Sequence, residues 1–268
     1  MSLTAEKQQA YRANGFIFPL DVLSTDEAAQ HNDALAAVEK QHGPMHYRVK
    51  PYLVSTSAWA IATHAGLLDA VESVLGPDIL LWDSSYIVKE PHSNKFVSWH
   101  QDLTYWGLRM ASDDDLVSAW LALTPATKNN GAMQFVRGSH KRGRYQHEDT
   151  YDAQNLLHRG QSIVNDFENT SIAQMELAPG QASLHHGWTV HSSGPNATAT
   201  RRVGIVMNYL KPSVCQVVAD YETATLVRGE DRYGHFGPEP VCQSDFDPAN
   251  VEFQLQMERK KREVYDTA

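Results

Sequence analysis

The stretch Trp99-His100-Gln101-Asp102-Leu103-Thr104-Tyr105-Trp106 sets an imidazole and a carboxylate two residues apart, between aromatic side chains. In an extended segment, residues i and i+2 point to one face, roughly 6–7 Å apart. His100 and Asp102 then converge, while Gln101 points away. A nitrogen donor beside an oxygen donor suits a divalent transition metal. A lone His-x-Asp also arises as ordinary surface polarity, so a metal needs a further ligand. The segment His185-His186-Gly187-Trp188-Thr189-Val190-His191-Ser192-Ser193-Gly194-Pro195-Asn196 offers one. Two histidines and one carboxylate make a facial triad, with positions left open for substrates and oxygen. His191, in a turn-rich segment just before a strand, is the best third ligand. His185 and His186, at the end of the preceding strand, are rivals with a structural reading.

Arg202 follows His191 by eleven residues, in a β-rich run beside Arg201. A guanidinium grips a carboxylate through two parallel hydrogen bonds. Neighbouring residues of a strand face opposite ways, so only one of the two arginines can enter an interior. The plain alternative is a pair of solvated surface arginines. Trp99, Tyr105, Trp106 and Trp120 either wall an oxidising centre off from water or simply fill a core.

These residues need a scaffold. Up to about residue 76 the chain reads mainly as helix. Thr25-Asp26-Glu27 opens an apolar-periodic stretch from Ala28 to Val38 that ends near Gly43, and a second helix is predicted from about Trp59 to Leu75. After Pro77 come short β-rich runs: Ile79–Trp82, Tyr86–Val88, Val117–Leu121, Met133–Val136, Ala182–Leu184 and Val203–Met207. Turn signals such as Asn129-Asn130-Gly131, Pro179-Gly180 and Gly194-Pro195-Asn196 separate them. That punctuation predicts a sandwich or barrel. One domain is expected over 1–268, with a helical part (1–76), a β core (77–211) and a C-terminal loop and helix (212–268). Long loops are predicted over 140–170 and 212–249, and loops of that length are often functional. The charged run Glu258–Glu263 reads as a solvated helix.

The net charge of −9, without a dense Lys/Arg block, argues against a nucleic-acid partner. The first residues lack an apolar signal core and no run reaches transmembrane length, so no membrane partner is expected. Cys215 and Cys242 make neither a metal pattern nor a disulfide framework, which predicts a cytoplasmic protein.

Taken together, "WHQDLTYW", "SAWLALTPATKNNGAMQFVRGSHK", "PGQASLHHGWTVHSSGPN" and "RRVGIVMNYL" resemble the phytanoyl-CoA dioxygenase family of non-haem iron, 2-oxoglutarate-dependent oxygenases, in order over about residues 10–235. The resemblance implies a mainly β fold, a double-stranded β-helix or jelly roll flanked by N-terminal helices. It places the iron(II) triad on His100, Asp102 and His191, and the arginine for the far carboxylate of 2-oxoglutarate on Arg202. Ser193 falls on a helper at that carboxylate and Trp120 on a pocket-lining tryptophan. Thr104 and Lys89 fall near the pocket, and His140 in a structural "GSH".

The activity so implied uses O2 and 2-oxoglutarate, releases succinate and CO2, and hydroxylates a C–H bond of a small molecule. Because Asp102 is present, chloride has no ready position at the metal, and hydroxylation is expected rather than halogenation. Two other classes stay open. One is a cupin-like metal enzyme without 2-oxoglutarate, which has no use for Arg202. The other is a silent ligand-binding barrel, against which the complete triad argues. Specificity is expected from loops 44–56, 104–115, 140–165 and 212–240. Within the last, Arg228, Asp231 and Arg232 either meet a polar substrate or, more simply, decorate a charged surface.

Overall fold

The computed structural model describes residues 2–267 apart from 158, 164–166, 168–170 and 220. Parts of two sequence-predicted loops, at 158, 164–166, 168–170 and 220, therefore lie outside the described residues. No helix among those described is long and apolar enough to cross a membrane.

The helices are α1 (Ala5–Asn14), α2 (Thr25–His42), α3 (Thr56–Ala62), α4 (Ala65–Leu75) and α5 (Pro248–Thr267). The start of α2 is set by a capping box. Glu27 N–H donates to the Ser24 hydroxyl at 3.2 Å, and the Glu27 carboxylate accepts from Ser24 N–H at 2.7 Å. The helix predicted over residues 59–75 is instead two helices. The Thr63 amide and hydroxyl both turn back to the Trp59 carbonyl, which closes α3, and His64 adopts φ −59°, ψ 126° before α4 begins.

The strands are β1 (Phe16–Asp21), β2 (Ile79–Lys89), β3 (Val97–His100), β4 (Leu108–Arg109), β5 (Leu116–Ala122), β6 (Met133–Val136) and β7 (His147–Asp149). Then follow β8 (Gln161–Ile163), β9 (Ile172–Gln174), β10 (Gln181–His186), β11 (His191–Ser193), β12 (Arg202–Leu210), β13 (Cys215–Gln216) and β14 (Thr225–Arg228). A six-stranded antiparallel sheet runs β1-β10-β5-β12-β2-β14, and a four-stranded one runs β3-β11-β6-β9. Two of the large sheet's strands come from outside 77–211. β1 lies in the part predicted as helical, and β14 in the part predicted as loop.

Side chains alternate across the large sheet with period two. Val117, Ala119 and Leu121 of β5, Ala182 and Leu184 of β10, and Val203, Ile205 and Met207 of β12 form its outer face. They join one apolar cluster with Leu35, Leu67, Leu68 and Val71 of the helices. The inner face is more polar. Cross-strand register aligns His185, Ser118, Asn208 and Asp83 in one row, and Ser183, Trp120, Val206 and Ser85 in the next. Arg202 pairs with Lys89 at one end. Trp120 and Phe16 of this face pack against Met133 and Phe135 of the small sheet.

The two runs predicted around Asp83-Ser84-Ser85 are one strand. A bulge at Trp82, opposite the Asn208/Tyr209 step, restores the pattern. It lets Asp83 face inward while Leu81 and Ile79 stay on the helix-packed side.

Candidate active site

β3 and β11 are neighbours, and His191 is paired directly with His100. Their rings lie with centroids 4.1 Å apart. His100 is the last residue of its strand. Asp102 opens a one-turn 3-10 helix over Asp102–Thr104 rather than continuing the strand, and Gln101 between them is extended at φ −127°, ψ 128°. The predicted convergence of His100 and Asp102 therefore holds, although the carboxylate comes from a turn. One ligand atom from each of His100, Asp102 and His191 lies within 4.8 Å of the others. Asp102 Oδ1 stands 3.4 Å from His100 Nε2 and 3.8 Å from His191 Nε2.

The outer ring nitrogens fix which atoms face inward. His100 Nδ1 meets the Ser98 carbonyl at 2.9 Å, and His191 Nδ1 meets the Thr189 carbonyl at 2.9 Å. A carbonyl only accepts, so each Nδ1 carries its hydrogen and each Nε2 presents a lone pair. Burial, and then His100, push the His191 ring down to about 3, so it is neutral at physiological pH. Burial alone would raise the Asp102 carboxyl. The imidazoles of His191, His100 and His185 around it outweigh burial and hold it well below the usual range as a carboxylate. Two imidazole nitrogens and one carboxylate oxygen are the donor set that a divalent iron takes.

Gln101 turns away from this cluster and anchors it. Its amide nitrogen donates to the carbonyls of Gly143 at 2.8 Å and Trp188 at 2.7 Å, and its amide oxygen accepts from Tyr145 N–H at 2.7 Å. The hydroxyl of Ser139, in the "GSH" segment, accepts from Val190 N–H at 2.9 Å and so steadies the approach to His191. His140 packs under Gly15 and reaches the Arg12 carbonyl at 3.2 Å, a structural position.

A cavity of about 420 Å³ holds the cluster, with Ser193, Trp120 and Arg202 also in its wall. Arg202 is fully buried. Its Nη1 donates to the Gly131 carbonyl at 2.9 Å, while Nε and Nη2 have no partner among the described residues. Its guanidinium carbon lies 5.2 Å from the Trp120 ring centroid. Burial lowers the guanidinium to about 10, so it stays charged. Arg201 points the opposite way, as its strand position predicts, to Glu39 at 2.6 Å and Glu90 at 2.9 Å. Ser193 Oγ donates to the same Gly131 carbonyl at 3.0 Å. Lys89 Nζ donates to the carbonyls of Ser193, at 3.1 Å, and Gly194. Burial, then Arg202, bring the Lys89 ammonium down to about 7.

Two unpartnered buried donors on a charged fork form a cradle for an anion, while Lys89, near the fork, lines a different cavity with His46 and Glu90. These residues fit both iron(II) and a carboxylate co-substrate.

Thr104 is not in this cavity. With Tyr105, Arg144 and His147 it lines a neighbouring one. Of the predicted specificity loops, 44–56 contributes Tyr47 and Val49, 104–115 contributes Tyr105 and Trp106, and 140–165 contributes Leu156, Leu157 and Gln161. No described residue of 212–240 lines it. Arg228 instead binds Asp69 and Glu72 of α4, Arg232 binds Glu230, and Asp231 caps the turn at Tyr233 and Gly234. The wall is completed by Glu258, Lys261 and Arg262 of α5, from the run that reads in sequence as a solvated helix.

Two facing antiparallel sheets with a His-Asp-His cluster between them define the jelly-roll class of non-haem iron oxygenases. The chain belongs to the phytanoyl-CoA dioxygenase (PhyH) family, whose model matches residues 11–204. It is similar to a solved non-heme monooxygenase, ThoJ, at 33% identity and TM-score 0.85, over 97% of both chains. CytC3 with Fe(II) and alpha-ketoglutarate shares the fold at TM-score 0.67 and 20% identity, over 87% of this chain and 92% of the other. A probable alpha-ketoglutarate-dependent hypophosphite dioxygenase of Stutzerimonas stutzeri is 27% identical over 65% of this chain. That match spans 61% of the relative's own length.

Proposed function

We propose that this protein is an iron(II)- and 2-oxoglutarate-dependent oxygenase that hydroxylates a C–H bond of a small metabolite. In this reading His100, Asp102 and His191 hold the iron, and Arg202 holds the far carboxylate of 2-oxoglutarate. The observation that carries it is that one cavity contains both the three-donor cluster and a buried arginine with two unused N–H groups. Among the described residues no carboxylate pairs with Arg202, so its counter-ion must come from a ligand. Such an arginine has no role in a cupin-like enzyme that does without 2-oxoglutarate.

When bound, iron(II) and 2-oxoglutarate supply the activation of O2, with oxidative decarboxylation to succinate and CO2. The chain's part is placement. Ser98 and Thr189 hold the two imidazoles with Nε2 inward. The Gly131 carbonyl aligns Arg202 and Ser193, and the Trp120 ring covers the guanidinium. Val97, Met133, Leu156 and Leu157 line the cavity with apolar surface that keeps bulk water from the reacting centre. Asp102 fills the anionic ligand position, which favours hydroxyl transfer over capture of a halide. The cavity volume suits a small molecule.

The test is succinate formation from 2-oxoglutarate by the iron(II)-loaded protein, screened across metabolite classes for stimulation. A parent protein that neither binds nor turns over 2-oxoglutarate sinks the reading and leaves the other metal enzymes of this architecture.

A further inference from the structure

The inner row His185–Ser118–Asn208–Asp83 begins beside the metal cluster, and its other three residues have no role in the proposed placing of iron or 2-oxoglutarate. It crosses four strands side by side, β10, β5, β12 and β2. All four residues are buried, and each carries a side-chain atom without a partner: His185 Nδ1, Ser118 Oγ, Asn208 Oδ1 and Asp83 Oδ1. Buried polar atoms in folded proteins are nearly always satisfied, so four in one row call for an explanation. His185, Asn208 and Asp83 line the same cavity as the His-Asp-His cluster. The row starts beside the metal cluster, with His185 Nε2 at 3.6 Å from Asp102 Oδ2. It ends at Asp83, whose second oxygen accepts from Lys261 of α5.

We propose that the Asp83–Asn208 end of this row is the substrate-recognition subsite, and that it takes a protonated nitrogen: an ammonium or a comparable N–H-bearing cation. This rests on the oxygenase reading above and deepens it.

The chemistry of the free atoms selects the ligand. Asp83 Oδ1 and Asn208 Oδ1 are acceptors only and belong to residues of the cavity wall, whereas Ser118 is buried behind it. A carboxylate or phosphate ligand would add a further anion beside Asp83, whereas a group with several N–H donors satisfies both acceptors. The subsite already seats one alkylammonium, the Lys261 side chain.

The surrounding charges agree. Lys50, with Glu222 at 3.4 Å and Glu239 at 2.6 Å, lies behind β2, and Glu258 pairs with Arg262 on α5 at 2.7 Å. Lys261 balances Asp83, and the one negative charge left over lies in the neighbouring Lys50–Glu222–Glu239 cluster, outside the cavity wall. Distance along the row from Asp83 to His185 separates the anchored nitrogen from the carbon to be oxidised. The substrate would therefore be an amine-bearing molecule attacked several bonds from its nitrogen.

The test is ligand-observed NMR on the full-length protein loaded with nickel(II) and 2-oxoglutarate. The probe set holds fragments of matched skeleton that end in an ammonium, a hydroxyl or a carboxylate. Ammonium fragments are expected to bind preferentially. Asp83→Asn should weaken them at least tenfold, with 2-oxoglutarate affinity unchanged. Lys261→Ala, which removes the resident cation from a surface helix, should strengthen them several-fold and keeps the test valid if Asp83→Asn fails to fold. Preference for hydroxyl or carboxylate fragments, no binding by any class, or ammonium affinities unchanged in both variants overturns the proposal. A parent that binds ammonium fragments but not 2-oxoglutarate upholds the subsite and refutes the oxygenase reading instead.

Discussion

Arg202 and Gly131 are 71 residues apart in sequence, yet among the described residues the Arg202 guanidinium hydrogen-bonds only to the Gly131 carbonyl, at 2.9 Å. The Asn129-Asn130-Gly131 turn that delivers this carbonyl needs a glycine. Gly131 has φ +79°, and a Cβ there would stand 2.3 Å from the Gly194 carbonyl oxygen. The turn aims the fork by holding one prong and leaving the others free.

Removing that fork is the sharpest test of co-substrate use. Losing one partner of a buried charge pair costs about 2–5 kcal/mol, so Arg202→Ala should weaken 2-oxoglutarate by roughly 30-fold or more. Iron content should be unchanged. Arg201→Ala, outside the cavity, should leave co-substrate affinity near the parent value. Anaerobic titration of the iron(II) protein, followed in the visible charge-transfer band, reads all three. Equal affinities for Arg202→Ala and parent would refute the assignment.

The distal ligand can be told from its neighbour by metal analysis. His191→Ala should lose most of its iron. His185→Ala should keep it, because His185 Nε2 faces Asp102 Oδ2 while Oδ1 faces the other two histidines. Asp102→Gly should abolish hydroxylation. Iron retained in His191→Ala and lost in His185→Ala would exchange the two roles.

Gly204 lies directly under the Trp120 indole, and a Cβ at this position would stand 2.1 Å from the ring. Gly204→Ala must therefore displace Trp120, an overpacking that costs about 1–3 kcal/mol. Melting should fall by about 2–4 °C for each kcal/mol lost. Because Trp120 covers Arg202, 2-oxoglutarate affinity should fall as well. A variant with parent-like melting and affinity would show that the ring is free to move.

Lys89, placed near the co-substrate in the proposed reading, should make its binding depend on pH. Its ammonium is down to about 7 in the free protein. A bound dianion beside it raises that value. Below pH 7 Lys89 is protonated with or without ligand, and affinity is flat. Above pH 7 binding must take up a proton, so Kd should rise, by up to about tenfold per pH unit, until the bound-state value is passed. Titrations at pH 6.5, 7.5 and 8.5 should show this slope in the parent. In Lys89→Gln binding should be weaker at pH 6.5 and flat. An identical slope in both would remove Lys89 from the site.

The chemistry-bearing residues were legible because their spacing is local. His-x-Asp needs only an extended Gln101, and the opposite facing of Arg201 and Arg202 needs only a strand. The features that local spacing does not display depend on pairing between distant segments. Asp83 and Ser85 looked like a break between two strands, because their inward face is defined only once β12 lies alongside. Polar residues at period two inside an apolar strand are the signal that marks them, and Ser118 and Asn208 repeat it. The strand at Phe16–Asp21 was hidden by its helical surroundings, since its partner β10 lies about 165 residues on. The split between α3 and α4 lies at Thr63 and the extended backbone of His64, neither of which breaks the apolar periodicity. Helix α5 looked solvated because its charges are real, and only tertiary packing turns Lys261 and Glu258 toward the cavity.

The metal cluster sits on the small sheet, and the Asp83–Asn208 row on the large one, with separate backbone hydrogen-bond ladders. The proposed metal ligands and the proposed choice of substrate are thus written on different surfaces, although Arg202 of β12 shares the large sheet with that row. Asp83, Ser118 and Asn208 occupy matched positions on three adjacent strands, none of them next in sequence to a proposed ligand. The three can be recoded together as a cassette, from cation-accepting to neutral or anion-accepting, while the iron cluster is inherited intact. For directed evolution this marks a compact library of three codons in which new substrates can be sought without rebuilding the catalyst.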